Sequence, residues 1–270
     1  MNKPNIIAIG VGGMGRAFIS SANEQGHSVV AAYDTHDFDI KGIKPSHISN
    51  LDTDLTSSNL ARMENRVIVD FTLCDAFIKN LDTYLKYKLP VVTGTTGWFT
   101  YPEVLKSVTE KVNAAGTGLI YSGNFSLGVQ ATYLITDLAS KLFNKIGGFD
   151  ASIIEEHHIR KADSPSGTAA ELGKIIMKGM PNKTKILNGN APCKISPEEL
   201  QISAIRRSKV FGTHIVNFED ENQFVEIKHR SDSRKHFAQG AVKAVDFIKD
   251  KKGVYNMQDL VKELFAEYVK

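Results

Sequence analysis

Asn5-Ile6-Ile7-Ala8-Ile9-Gly10-Val11-Gly12-Gly13-Met14-Gly15-Arg16 decides the reading of the first half of this 270-residue chain. Residues 5–9 form a short apolar run of the kind buried in a parallel sheet. Glycines at 10, 12 and 15 follow in G-x-G-x-x-G spacing, and Ala17, Phe18, Ile19 and Ala22 continue in a helical pattern. Strand, glycine turn and helix in that order are the context a dinucleotide fingerprint requires. The glycines permit a tight turn and let a pyrophosphate approach the helix start. Gly10, Gly12, Gly13, Met14, Gly15 and Arg16 are therefore candidate cofactor-binding residues. Alone, the motif also describes an ordinary tight strand–helix turn. The next strand pattern, residues 28–33, ends at Asp34. A carboxylate about 20 residues after the glycines can accept from ribose hydroxyls, and the two features together favour cofactor binding.

The pattern continues downstream. Residues 67–72 read as a strand, 75–88 as a helix, and 90–93 as a strand ending in Gly94-Thr95-Thr96-Gly97-Trp98. Residues 118–121 read as a further strand, running into Ser122-Gly123-Asn124-Phe125-Ser126. Small residues at the carboxyl end of a strand are where an open α/β sheet binds its ligand. Residues 35–66 are polar and weakly periodic and receive no assignment. In the second half, residues 127–143 read as a helix, and 151–155, 201–206, 213–218 and 223–229 as strands. In the last of these, Val225 and Ile227 alternate with Glu226 and Lys228 in a half-buried pattern. Helical patterns begin at 233 and span 257–269. The expected fold is α/β: a Rossmann-type doubly wound parallel sheet plus a second α+β domain with an open mixed sheet. The expected domains are 1–125 with 233–270, binding the dinucleotide, and 126–232, binding substrate and building an oligomer.

Composition narrows the class. Hydrophobic content of 42% and charge of 23% are ordinary for a globular protein. The net charge of +3, from 33 basic and 30 acidic residues, is too small to argue for nucleic acid. No apolar run reaches about 18 residues, so no membrane span is expected, and no leader pattern precedes the first strand. Cys74 and Cys193 form no motif and fit a reducing compartment, so a cytoplasmic location is expected.

A second stretch carries the chemistry: Glu155-Glu156-His157-His158-Ile159-Arg160-Lys161-Ala162-Asp163-Ser164-Pro165-Ser166-Gly167-Thr168-Ala169. It is dense in titratable groups. Ser164-Pro165 breaks it, because the residue before proline is biased away from helix. Ser166-Gly167-Thr168 then opens a helical pattern, with Thr168 and Glu171 at capping-box spacing. Free N–H groups and a partial positive charge at such a start can hold a carboxylate. Cations and adjustable acids just before it suit a small acidic substrate that is protonated while held. A lone histidine pair is more often structural. A zinc site needs a third ligand, which neither cysteine supplies nearby, so no metal is expected. Lys161 and the Ser-Gly-Thr start tip the reading towards a functional site.

This stretch resembles the signature of the 4-hydroxy-tetrahydrodipicolinate reductase (dihydrodipicolinate reductase) family. That pattern runs Glu, any residue, His-His, two variable residues, Lys, one variable, Asp, one variable, Pro-Ser-Gly-Thr-Ala, and residues 155–169 fit it throughout. The resemblance implies an NAD(P)H-dependent reductase of the diaminopimelate route to lysine, acting on a small cyclic dicarboxylate and forming a homotetramer through its second domain. It implies cofactor loops at Phe71-Thr72, Gly94-Thr95-Thr96 and Ser122-Gly123-Asn124-Phe125, with Arg234 and Phe237 near the cofactor. On it, His157 is assigned as general acid and Lys161 as cationic partner or second proton donor. His158, Lys161, Ser166, Gly167 and Thr168 are assigned to substrate carboxylates. Where the family often has an acid followed by arginine, Asp34 is followed by Thr35 and His36. An ionised Asp34 repels a 2′-phosphate, so the cofactor balance leans weakly to NADH, with Arg16 or Lys41 available to serve NADPH. Two other readings compete. A non-catalytic dinucleotide sensor would show gaps in the cluster, and His157, His158 and Lys161 are all present. A semialdehyde dehydrogenase of the same fold would need a nucleophilic cysteine in a supporting motif.

Overall fold

The computed structural model describes residues 3–57, 59–191 and 193–266. The chain divides into two compact units, Met1–Leu127 with Lys235–Lys270, and Gly128–Arg234.

The first unit begins with β1 (Asn5–Ile9), α1 (Gly13–Glu24), β2 (Ser28–Asp34) and β3 (Pro45–His47), then α2 (Leu51–Ser57) and α3 (Asn59–Arg62). It continues with β4 (Arg66–Asp70), α4 (Cys74–Lys86), β5 (Val91–Thr93), α5 (Pro102–Ala115) and β6 (Gly118–Tyr121). The second unit contains α6 (Leu127–Ile146) from its second residue on, β7 (Asp150–His157), α7 (Gly167–Gly179) and β8 (Lys185–Asn188). It closes with β9 (Glu199–Arg206), β10 (Gly212–Glu219) and β11 (Phe224–Ser231). The chain then returns to the first unit as α8 (Lys235–Ile248), β12 (Gly253–Asn256) and α9 (Met257–Leu264).

The first unit holds a parallel sheet in the order β12-β6-β5-β4-β1-β2-β3. Ile6 to Ile9 are all buried, as expected of a central strand covered on both faces. Each such isoleucine contributes roughly 1.5–3 kcal/mol by leaving water. On one side the core joins Ile7, Ile9 and Ile68 to Phe77, Leu81 and Tyr84 of α4. The strand order reverses between β1 and β4, which pair directly with Ile9 opposite Asp70. Ligand crevices of doubly wound sheets open at such a reversal. The segments leaving it are the glycine turn after β1 and Phe71-Thr72 after β4. The expected strand 67–72 thus stops at Asp70 and leaves Phe71 and Thr72 in the loop.

Residues 35–66 build the sheet edge: β3 pairs in parallel with β2, and α2 and α3 bury Leu51, Leu55 and Leu60. A three-residue strand beginning at a proline gives no readable period. The expected helix 75–88 ends at Lys86, and Lys88 takes a positive φ of 51°. The helix expected over 257–269 ends at Leu264, and residues 267–269 lie outside the described residues.

The second unit holds a mixed sheet in the order β11-β10-β7-β9-β8. β11, β10 and β7 run antiparallel in turn, whereas β7, β9 and β8 are parallel. Val129 and Tyr133 of α6 and Ala169, Leu172 and Ile176 of α7 pack with Ala151, Ile153, Leu200, Ile202, Val216 and Phe218 of the sheet. The half-buried alternation expected in β11 fails at Val225, which is exposed. An edge strand is covered only along part of its length, and only Ile227 of that strand packs on the core.

Candidate active site

The period of β7 builds the site. Ala151, Ile153, Glu155 and His157 alternate onto the buried face. Ala151 and Ile153 belong to the apolar core, so the same row becomes polar at its carboxyl end. In β10 the buried row Phe218, Val216, His214 changes in the same way, and Leu200 and Ile202 of β9 share a face with Arg206. Register does the rest: Glu155 lies opposite His214, and His157 opposite Arg206.

The Glu155 side chain is fully buried. Its Oε1 accepts from Arg206 Nη2 at 2.8 Å and from the Ser166 backbone N–H at 3.1 Å. Its Oε2 lies 2.6 Å from His157 Nδ1. At this distance the two buried atoms face each other, and neither makes a hydrogen bond elsewhere among the described residues. Burial works against the charged carboxylate, but His157, Arg206 and Ser166 outweigh it and hold the pKa at about 2. His214 sits on the other side, with Nε2 3.1 Å from Ser166 Oγ and 4.0 Å from Glu155 Oε2. Burial, then the neighbouring His157, push its pKa down to about 3, against the pull of Glu155. This ring is therefore neutral.

Ser166 is the N-cap of α7, its Oγ accepting from Ala169 N. This corrects the expected capping box at Thr168 and Glu171. Thr168 is instead in the first turn, its side chain engaged with Tyr133, whose hydroxyl burial pushes up to about 12. His158 follows β7 directly and accepts from Lys161 N through its carbonyl. Lys161 Nζ pairs with Asp163 at 2.7 Å. Burial disfavours the charged Asp163 carboxylate, but Lys161 and N–H groups that include Gly167 keep its pKa below the ordinary range. The start of α7 thus already attracts one carboxylate, its own.

In the first unit, Gly10 has a φ of 81°, and a Cβ on Gly15 would lie 2.0 Å from the Gly10 carbonyl oxygen. Gly12 caps α1, and a Cβ there would meet nothing within 4 Å, which leaves the helix start open to a ligand. Gly13 and Met14 open α1, and Arg16 Nη1 donates to the Asp39 carbonyl at 2.9 Å. Asp34 is itself held by the folded turn. Its Oδ2 accepts from Val11 N, and its Oδ1 from Thr35 N and His36 N. Burial opposes its charge, and these N–H groups nevertheless lower its pKa. One acceptor lobe of Oδ2 is left for a sugar.

The loops after β4, β5 and β6 are tied to one another. Thr72 donates twice to the buried Asp70, Thr95 Oγ1 donates to the Thr72 carbonyl, and Gly94 lies against the Phe71 ring. Phe71 packs between Phe18 and Phe125, and Phe125 is itself buried. Asn124 N donates to Ser122 Oγ, and Gly123 lies beside Thr96. Arg234 is exposed at the end of the second unit, and Phe237 is half-buried in the first turn of α8.

Arg206 and His214 were not singled out from the sequence. Their signal was a polar residue in the buried phase of a strand. Among the described residues, Glu155, His157 and His214 also bring ligand-type atoms within 4.8 Å of one another. The guanidinium already on Glu155 competes with a cation there.

A Rossmann-type sheet with an open glycine turn, followed by a unit carrying a buried acid–histidine pair beside a capped helix start, defines the class: a two-domain, dinucleotide-dependent oxidoreductase. The family models "Dihydrodipicolinate reductase, N-terminus" and "Dihydrodipicolinate reductase, C-terminus" match residues 4–125 and 128–261. The chain belongs to the dihydrodipicolinate reductase family. It is 32% identical to a 4-hydroxy-tetrahydrodipicolinate reductase of Christiangramia forsetii, over 97% of this chain and 99% of that one. It is 29% identical to the corresponding Neisseria meningitidis protein, over 93% and 94%. Its fold is that of a dipicolinate-bound dihydrodipicolinate reductase from Paenisporosarcina, with a TM-score of 0.79 at 21% identity, over 96% of this chain and 99% of that one. A DAP dehydrogenase of C. glutamicum shares the fold more distantly, with a TM-score of 0.57 at 12% identity, over the full length of both chains.

Proposed function

We propose that the chain reduces 4-hydroxy-tetrahydrodipicolinate to tetrahydrodipicolinate in the diaminopimelate route to lysine. One substrate, one reduced nicotinamide cofactor and one proton give the product, oxidised cofactor and water. Loss of the 4-hydroxyl leaves a conjugated imine, which takes hydride at ring carbon 4 and then needs a proton. NADH or NADPH supplies the hydride. The first unit would hold it at Gly10, Gly12, Gly13, Met14, Gly15, Arg16 and Asp34 and at the loops Phe71-Thr72, Gly94-Thr95-Thr96 and Ser122-Gly123-Asn124-Phe125, with Arg234 and Phe237 nearby. His157 gives the proton. Lys161 and His158 draw a substrate carboxylate to Ser166, Gly167 and Thr168, displacing Asp163. The observation that carries this reading is the Glu155–His157 pair beside a helix start that already holds a carboxylate. A coupled assay tests it: the product of the preceding synthase should be consumed with oxidation of either cofactor. No turnover with both would overturn it.

Three finer features belong to the same reading. NADH is used at least as well as NADPH, because Asp34 is an anion without an arginine directly after it. The second unit builds a homotetramer, for which exposed Ile205, Phe211 and Phe224 supply apolar surface. The enzyme works in the cytoplasm. Among the described residues no helix is long and apolar enough to cross a membrane.

A further inference from the structure

We propose that Glu155 is a positioning residue for proton delivery: it holds the Nδ1–H of His157, so that Nε2 is the nitrogen that hands the proton over. The inference rests on His157 being the proton donor. Nδ1 lies 2.6 Å from Oε2, and neither atom makes a hydrogen bond elsewhere among the described residues. The carboxylate cannot turn away, because Arg206 and the Ser166 N–H both donate to its other oxygen. Arg206 in turn donates to the Asp163 carbonyl, which fixes the guanidinium. His214 faces the same carboxylate at 4.0 Å but points its Nε2 at Ser166, so it leaves Oε2 to His157.

The other side of the ring agrees. A Cβ on Gly212 would lie 3.0 Å from His157 Nε2 and nearer to it than to any other ring atom named there. Gly212 has no positive φ, so the fold asks for glycine at this place to keep the space beside Nε2, not for a special backbone. Glu155 and Gly212 act on opposite nitrogens of one ring. The first faces Nδ1, and at the second a side chain would crowd Nε2. The same carboxylate carries the Ser166 N–H, so one buried group aligns the acid with the start of α7.

A glutamine at 155 has the shape of glutamate but only one acceptor. Arg206 and Ser166 would both claim it, which turns the amide NH2 towards His157 Nδ1. That nitrogen would then have to accept, and the ring proton would move to Nε2. The test is ¹⁵N NMR of the full-length protein labelled at histidine, with His157→Gln to assign the signal. The neutral ring in the parent should carry its proton on Nδ1, and Glu155→Gln should shift it to Nε2. In that variant kcat should fall by about 10²-fold, the usual scale for a general acid, with cofactor KM unchanged. A parent ring protonated on Nε2, or a Glu155→Gln variant with parental tautomer and kcat, would overturn the proposal. If Glu155→Gln fails to fold, the parental tautomer decides, together with Gly212→Ala. That variant should lower kcat severalfold while Nδ1 stays protonated, and an undiminished kcat there would count against delivery from Nε2. An unchanged kcat in His157→Gln would instead sink the role of His157 and leave the Glu155 contact standing as structure.

Discussion

His214 Nε2 and the Ser166 hydroxyl meet at 3.1 Å in a buried contact that ties β10 to the start of α7. Burial keeps this imidazole neutral, setting its pKa at about 3 against an ordinary 6.5. Protonation therefore favours the unfolded chain. The contribution is intact above pH 6.5, falls as the pH drops, and is fully withdrawn below about 3, a loss on the order of 5 kcal/mol. Glu155 acts in a lower window. Its pKa is depressed from 4.5 to about 2, so it stabilises above 4.5 and its roughly 3 kcal/mol is lost towards pH 2. Urea unfolding at pH 7.5 and pH 4.5 should show the parent losing roughly 3 kcal/mol, most of it through His214. His214→Gln keeps a hydrogen-bond partner for Ser166 but cannot titrate, and it should lose far less. Equal losses in both proteins would show that this ring is not held neutral.

What the sequence made legible follows from how local each signal is. The glycine turn is written in residues 10–15 alone. Its geometric reasons, φ at Gly10 and the absence of room at Gly15, are those the spacing implies. His157 and Ser166 are equally local. Arg206 and His214 reach Glu155 only through the pairing of β9 and β10 with β7, and nothing in their own neighbourhoods announces it. Asp34 is the converse case. Its position was readable, but its hydrogen bonds to Val11, Thr35 and His36 belong to the folded turn. β8 went unread because four residues at a sheet edge, none of them buried, carry too few apolar positions for a period.

His157→Gln should lower kcat by about 10²-fold or more, because the proton would then come from water or a misplaced donor. Cofactor affinity, followed by fluorescence titration of the reduced nucleotide, should barely change. Parental kcat at saturating substrate would remove His157 from the chemistry.

Cofactor choice should follow Asp34 at the end of β2 and Arg16 of α1. We expect kcat/KM for NADH to be at least comparable to that for NADPH. Arg16 reaches the Asp39 carbonyl and so holds its charge by the loop after β2. Arg16→Ala should raise KM for NADPH severalfold and leave NADH nearly unaffected. A parent strongly selective for NADPH would refute the role given to Asp34. Equal losses with both cofactors would place Arg16 at the pyrophosphate instead.

Gly167 provides the sharpest test of the anion site. It opens α7 directly after the Ser166 cap, and a Cβ there would meet nothing within 4 Å. Its φ is not positive, so a side chain brings no backbone strain. Gly167→Val should therefore fold like the parent, and any loss of function reports on what approaches the helix start. If substrate carboxylates dock on the N–H groups of Gly167 and Thr168, the branched side chain stands in their way. KM for the substrate should rise by about 10-fold or more, the scale of one lost charge-assisted hydrogen bond. NADH binding, which belongs to the first unit, should stay close to normal. Pyridine-2,6-dicarboxylate, a planar mimic of the cyclic substrate, should inhibit the parent competitively and weaken in the variant by a similar factor. Asp163→Asn should act in the other direction, since it frees Lys161 and the helix start from the internal carboxylate. A Gly167→Val protein that binds the inhibitor as tightly as the parent would rule out the helix start as the carboxylate site. His158 and Lys161 would then have to hold the substrate without it.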